Sequence, residues 1–268
     1  MKIGKATVPR TAICTSDEHT IAVRGHDLSR DLIGKISFVE HFFLLLTGKM
    51  PTAGEAAVLN ATLVAIAEHG LVPSVQAARM TFAAAPDAMQ GAVAAGILGC
   101  GSVVLGSSET AGRLYAEIDA QVQGGAPLEA AALAVVQAWC AAGRSIPGCG
   151  HPVHKERDAR VGALFAAARA AGTDLRFIAI AEAVEALMPQ VLKKDLKLNV
   201  SGGIPAVLLG AGFPVQALKG VPILARTAGL IAHMFEEMQQ PIGFALSYQA
   251  TREAVYEGEL PDSFGQHA

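Results

Sequence analysis

The chain has 268 residues, of which 51% are hydrophobic and 17% charged, with a formal net charge of -3, a pI near 6.2 and a mean hydropathy of +0.38. That balance leaves no basic footprint for nucleic acid or for an anionic membrane surface, and it predicts that apolar surface is covered in a homodimer or a larger homo-oligomer. Cys14, Cys100, Cys140 and Cys149 lack the paired spacing of a zinc site or a disulfide framework, so a reducing cytoplasm and no metal are expected.

The opening MKIGKATVPRTAIC has neither the apolar run of a signal peptide nor the Arg/Ser-rich pattern of a transit peptide, which again points to the cytoplasm. Residues 11–15 and 20–24 read as short extended pieces around the turn-like Ser16-Asp17-Glu18-His19. Beyond them β-branched alternation is scarce and Ala, Leu, Glu and Gln recur at helical spacing, which predicts an all-α fold. A helix starts near Ser37, with Phe38, Phe42, Leu45 and Leu46 on one face, and Gly48 stops it. Pro51-Thr52 opens the next helix, 53–69, which Gly70 ends, so that His69 stands at a helix end where a side chain can face a cleft. Pro73-Ser74 opens another, and further helices are predicted over 109–123, 128–142, 158–171, 174–187 and 222–238.

Residues 88–108 and 199–218 carry no charge and approach the length of a membrane span. Glycine and proline interrupt both, and the expectation is buried helices packed closely through glycines rather than spans. Two segments read as loops: SIPGCGHPVHK, 145–155, and NVSGGIP, 199–205.

In Gly148-Cys149-Gly150-His151-Pro152, glycines on both sides of a histidine let the backbone approach a ligand and present its N–H groups. The imidazole of His151 suits proton transfer near neutrality; capping a neighbouring helix is an equally open role. Lys155, Arg157 and Arg160 bring cations beside that turn, either for phosphate or carboxylate groups or as a solvated helix start of mixed charge.

These pieces occur in one order that resembles the citrate synthase superfamily: RGHDL, FFLLLTGKMPT, AEHGLVPSVQAAR, IPGCGHPVHKERDAR, LKLNVSGGIP and ARTAGLIAHMFEE, from about Thr11 to Gly243. Citrate synthases are longer and carry a histidine in a PLHGGA-like segment, where this chain reads SVVLGSSETA. Short length and loss of that histidine resemble the citryl-CoA lyase module of ATP-citrate lyases.

The resemblance implies a large helical lobe from 1–105 plus 206–268 and a small one from 106–205, closing over substrate in a homodimer. It implies cleavage of citryl-CoA, or a related 3-hydroxy-3-carboxyacyl-CoA, to acetyl-CoA and oxaloacetate. The alternatives are a condensing enzyme (a transferase) for another acyl-CoA or 2-keto acid, and a non-catalytic protein that binds CoA esters. His151 matches the histidine that handles the hydroxyl proton and His69 a substrate-binding histidine. Arg160, Arg226 and Asn199 match substrate contacts, while Pro147, Gly148, Gly150, Lys155 and Arg157 fall among those to coenzyme A. The family motif N-V-D reads Asn199-Val200-Ser201 here, so the carboxylate that exchanges the acetyl proton is replaced by serine. Glu109, Asp195 or a water on Ser201 then stands in for it, or the reaction has changed. The expected partners are an acyl-CoA and a di- or tricarboxylate, with no nucleic acid and no membrane.

Overall fold

The computed structural model describes residues 8–101, 105–150 and 156–264. It opens with three short antiparallel strands, β1 (Cys14–Ser16), β2 (Ile21–Val23) and β3 (His26–Asp27), in which Cys14 pairs with Val23 and Ala22 with Asp27. The turn between β1 and β2 is built by the Asp17 carboxylate, which accepts the His19 and Thr20 amides at 2.9 and 2.8 Å. Eleven α-helices follow among the described residues, and the fold is all-α as predicted.

Capping chemistry places the first two helices. In α1 (Phe38–Thr47) the Ser37 side chain accepts the Glu40 amide while Glu40 returns a bond to the Ser37 amide, and Gly48 closes the helix at φ 74°. Thr52 and Glu55 repeat that box at the start of α2 (Ala53–Ala67). Arg24 lies between the strands and α1, donating two bonds to the Leu45 carbonyl at 3.0 and 2.6 Å and so satisfying the last turn of α1. α2 ends at Ala67 because Glu68 is extended, so His69 lies in the connection to α3 rather than at the helix end.

The chain continues through α3 (Pro73–Ala84), α4 (Met89–Leu98), α5 (Ser107–Gln123), α6 (Leu128–Ala141) and α7 (Ala159–Ala171). It ends with α8 (Arg176–Leu192), α9 (Val200–Gly210), α10 (Gly220–Gln239) and α11 (Gly243–Glu253). Two sequence expectations need correction. Residues 199–205 are not a loop: Asn199 caps α9, and Val200, Gly202, Gly203, Ile204 and Pro205 form its buried first turns. Pro205 has no amide to give the Ser201 carbonyl, but the burial of this face holds the helix through that lost bond. α8 runs past Leu187 to Leu192 with Pro189 inside it, because Val184 and Met188 continue its buried face.

The chain forms two compact units. One contains residues up to Glu68 together with Gly101–Ala225; the other contains His69–Cys100 and the residues from Arg226 on. This division differs from the predicted lobes. α2 packs on α7 and α9, so 8–68 belongs with 106–205 instead of standing apart from it. In the first unit α9 is central, touching α2, α5, α7 and α8, with Leu59, Leu114, Phe165, Ile180, Ile204 and Leu208 fully buried.

In the second unit α3 packs on α4 and α11. Val75, Ala78, Phe82, Ala92, Leu230 and Met234 form its core. The uncharged run that begins at Ala88 becomes α4, and no helix among the described residues is long and apolar enough to cross a membrane.

Candidate active site

The glycine-rich loop and the start of α9 are held together by backbone. The Asn199 amide donates to the Gly148 carbonyl at 3.0 Å, the Gly150 amide donates to the Lys197 carbonyl at 2.8 Å, and Cys149 bridges Leu198 in antiparallel fashion. The Asn199 side chain completes the clamp, accepting the Ser201 amide at 2.9 Å and donating Nδ2–H to the Gly150 carbonyl at 2.6 Å. Gly148 has φ 82°, and a Cβ added to it would lie 2.6 Å from the Cα of Gly202, so two glycines are needed for this approach.

The start of α7 converges on the same segment. Asp158 gives its amide to the Leu198 carbonyl at 3.1 Å and accepts three bonds from Arg160, through the backbone amide, Nε and Nη2, at 3.0, 3.1 and 2.7 Å. Burial would raise the Asp158 carboxyl, but the Arg160 side chain and amide, helped by the Val200 amide, hold it below the usual carboxylate range. The neighbouring Arg157 is tied to Glu185 through Nε and Nη2, which raises the guanidinium further. Glu185 also accepts the Leu198 amide at 2.7 Å.

Gly148, Gly150, Arg157, Arg160, Asn199 and Ser201 are therefore brought together by direct bonds or contacts in the first unit, beside the loop residue Pro147. Glu109 stands in the first turn of α5, paired with Arg113 at 2.7 Å. Ala111, two residues further on α5, lies 3.5 Å from where a Gly148 Cβ would be. Asp195, the other carboxylate weighed for the acetyl proton, is paired with Lys197 at 2.7 Å. His69 and Arg226 belong to the second unit, His69 exposed and Arg226 buried with its Nε and Nη1 unpartnered. His151 and Lys155 lie outside the described residues.

Some of the local chemistry is absent from the sequence reading. Cys149 is flanked by the two loop glycines, yet burial pushes its thiol up to about 12, with the Glu185 carboxylate adding to the shift, so it remains a protonated, unreactive thiol. Tyr115 on α5 is fully buried with an unpartnered hydroxyl, raised by burial and then by Cys149 and Glu185. Arg79 carries a local signal of a buried ion pair, an arginine four residues after Val75 and three before Phe82 on an apolar helical face.

Residues 11–243 match the protein family described as Citrate synthase, C-terminal domain. The chain belongs to the citrate synthase family. Among solved structures it is similar to the citryl-CoA lyase from Hydrogenobacter thermophilus, with 32% identity, a TM-score of 0.83, and coverage of 97% of this chain and 98% of that one. It is also similar in fold to the Methanosaeta concilii ATP citrate lyase in complex with (3S)-citryl-CoA, with 23% identity and a TM-score of 0.77 over 97% of this chain and 43% of that one. A citrate synthase from Thermotoga maritima shares the fold at 22% identity and a TM-score of 0.62, over 85% of this chain and 58% of that one. No curated protein sequence matches the chain. Membership of the citrate synthase family, with likeness to a lyase over nearly the whole of both chains, supports a carbon–carbon lyase or condensing role on a CoA ester.

Proposed function

We propose that the chain cleaves citryl-CoA, or a closely related 3-hydroxy-3-carboxyacyl-CoA, to acetyl-CoA and oxaloacetate. The observation that carries this reading is the 32% identity to a citryl-CoA lyase across 97% of one chain and 98% of the other. Cleavage removes the hydroxyl proton, breaks the bond between the carbinol carbon and the thioester α-carbon, and leaves the electron pair on a thioester enolate that must then be protonated.

His151 is the base for the hydroxyl proton, and developing negative charge falls to amides of the glycine loop other than that of Gly150, which is bonded to Lys197. His69 contacts the keto acid. Arg226 takes a substrate carboxylate, a role supported by its buried and unpartnered Nε and Nη1. Arg160 is held by Asp158 and Arg157 by Glu185, so they serve the phosphate or carboxylate groups of the substrate as part of neutralised pairs. Their first task is to fix the starts of α7 and α9.

Ser201 decides the balance between half-reactions. C–C cleavage begins at the hydroxyl and does not itself need a carboxylate at position 201, whereas proton exchange on the acetyl carbon does. A general acid or base contributes about 10²–10⁴ in rate. With oxaloacetate present, the wild type is expected to take solvent deuterium into acetyl-CoA slowly, and Ser201→Asp to do so at least about tenfold faster. Rapid exchange by the wild type together with loss of turnover in Ser201→Asp would mean that another group handles the proton and that the substrate lies elsewhere.

A further inference from the structure

Among the described residues, the buried Ser74 hydroxyl and the buried Arg226 guanidinium at Nε and Nη1, both in the second unit, have no hydrogen-bond partner. Ser74 is 1% exposed and Arg226 is 3% exposed. A guanidinium withdrawn from water calls for an anion, and an unpaired buried hydroxyl is destabilising.

The fold sets the start of α3 beside the part of α10 that follows Arg226. α3 starts at Pro73 with no side-chain cap, so Ser74 stands in a first turn whose amide dipoles favour negative charge. A Cβ built on Gly96 of α4 would lie 2.8 Å from the Ser74 carbonyl oxygen and 2.8 Å from Leu230 Cδ1, so the start of α3 and Leu230 meet there. Leu230 is one turn beyond Arg226 on α10, and a helical side chain leans over the turn that precedes its own Cα. The point where Leu230 meets α3 therefore lies over the turn that begins at Arg226. Further along, Arg79 of α3 bonds Glu237 of α10 at 2.6 Å, so later residues of α3 meet later residues of α10. At that far end the arginine has its carboxylates. At the near end Arg226 and Ser74 both have donors free.

We propose that Ser74 contacts the substrate: its hydroxyl and one open donor of the Arg226 guanidinium bind the same carboxylate of a small di- or tricarboxylate. This rests on the reading of the chain as an enzyme for a carboxylate-bearing CoA ester and adds to it a residue that the family resemblance leaves unassigned. Arginine supplies the charge and one donor, and the serine hydroxyl supplies the second donor that fixes the orientation of the carboxylate.

The test is isothermal titration of the full chain with oxaloacetate and with citrate, beside thermal melting without ligand. Ser74→Ala removes one hydrogen bond to a charged group, so affinity should fall by about 10- to 100-fold. The ligand-free melting temperature should hold or rise, because the variant removes an unpaired buried hydroxyl. Ser74→Cys, which keeps the volume with a weak donor, should lose affinity in the same way. A merely structural serine would give the opposite pattern, a lower melting temperature with unchanged affinity, and that result overturns the proposal. So does a wild type that binds neither acid. Affinity that depends on Ser74 without cleavage of citryl-CoA removes the lyase reading alone, whereas cleavage with affinity and KM unchanged in Ser74→Ala removes the cradle alone.

Discussion

Replacing Arg79 with alanine should lower folding stability by about 3–5 kcal/mol, since removing one partner of a buried ion pair leaves the other charge uncompensated. Arg79 reaches Glu237 Oε2 at 2.6 Å, Glu236 Oε2 at 2.5 Å and the Gln240 carbonyl at 3.0 Å. Glu237 is itself buried, and its other oxygen accepts the Ile242 and Gly243 amides at 2.9 and 2.7 Å, so one cluster ties α3 to the turn between α10 and α11. Burial would raise the Glu237 carboxyl, but the Gly243 amide and Arg79 outweigh it and depress it. A depressed carboxyl contributes stability above its unfolded value and loses it as pH falls through its folded value. In Arg79→Ala the folded value should rise, so acid unfolding should begin at higher pH than in the wild type. Urea denaturation across pH measures both effects; a loss below about 1 kcal/mol with an unmoved acid limb would show that the cluster is not a structural tie.

Alanine at Gly148 is the second large effect. The added Cβ would meet the Cα of Gly202 at 2.6 Å, and that atom is backbone, so no rotamer change can make room. Backbone strain at φ 82° and overpacking each contribute about 1–3 kcal/mol, and together they predict a loss of roughly 2–6 kcal/mol. Turnover should fall more than stability explains, because the loop and the capped start of α9 shift together. Gly162→Ala is the control: nothing lies within 4 Å of its Cβ position inside α7, so this variant should hold or gain up to about 1 kcal/mol. Equal melting temperatures for Gly148→Ala and Gly162→Ala would contradict the close approach.

The parts of the fold legible in the sequence are those fixed by neighbouring residues. Ser37 with Glu40, Thr52 with Glu55, and Gly48 as a stop place α1 and α2 from local chemistry alone. The segment 199–205 misleads for the same reason, since Gly-Gly-Ile-Pro is punctuation locally. Its glycines instead serve close packing, Gly202 against Gly148 and Gly203 against Val161, and burial overrides the local preference. The lobe boundaries depend on α2 meeting α7 and α9 across a long stretch of chain, which no local pattern encodes.

At the site, the glycine loop and the Asn199 cap lie together in the structure, but the partners of its cations were not legible. Arg157 finds Glu185 on α8, a pairing made by tertiary packing. Arg160 folds back on Asp158 within its own helix start, where the spacing allowed equally a free cation for phosphate. A carboxylate-binding role for Arg226 comes from the family resemblance alone; its burial, with Nε and Nη1 unpartnered among the described residues, is a physical reason to propose an anion there.

The most direct test of the lyase reading is to mix purified chain with citryl-CoA and quantify products by mass spectrometry over the first turnovers. The reading predicts acetyl-CoA and oxaloacetate appearing in equal amounts, with His151→Ala slower by about 10²–10⁴. Citryl-CoA that binds but stays intact, or that yields only citrate and free coenzyme A, would contradict it.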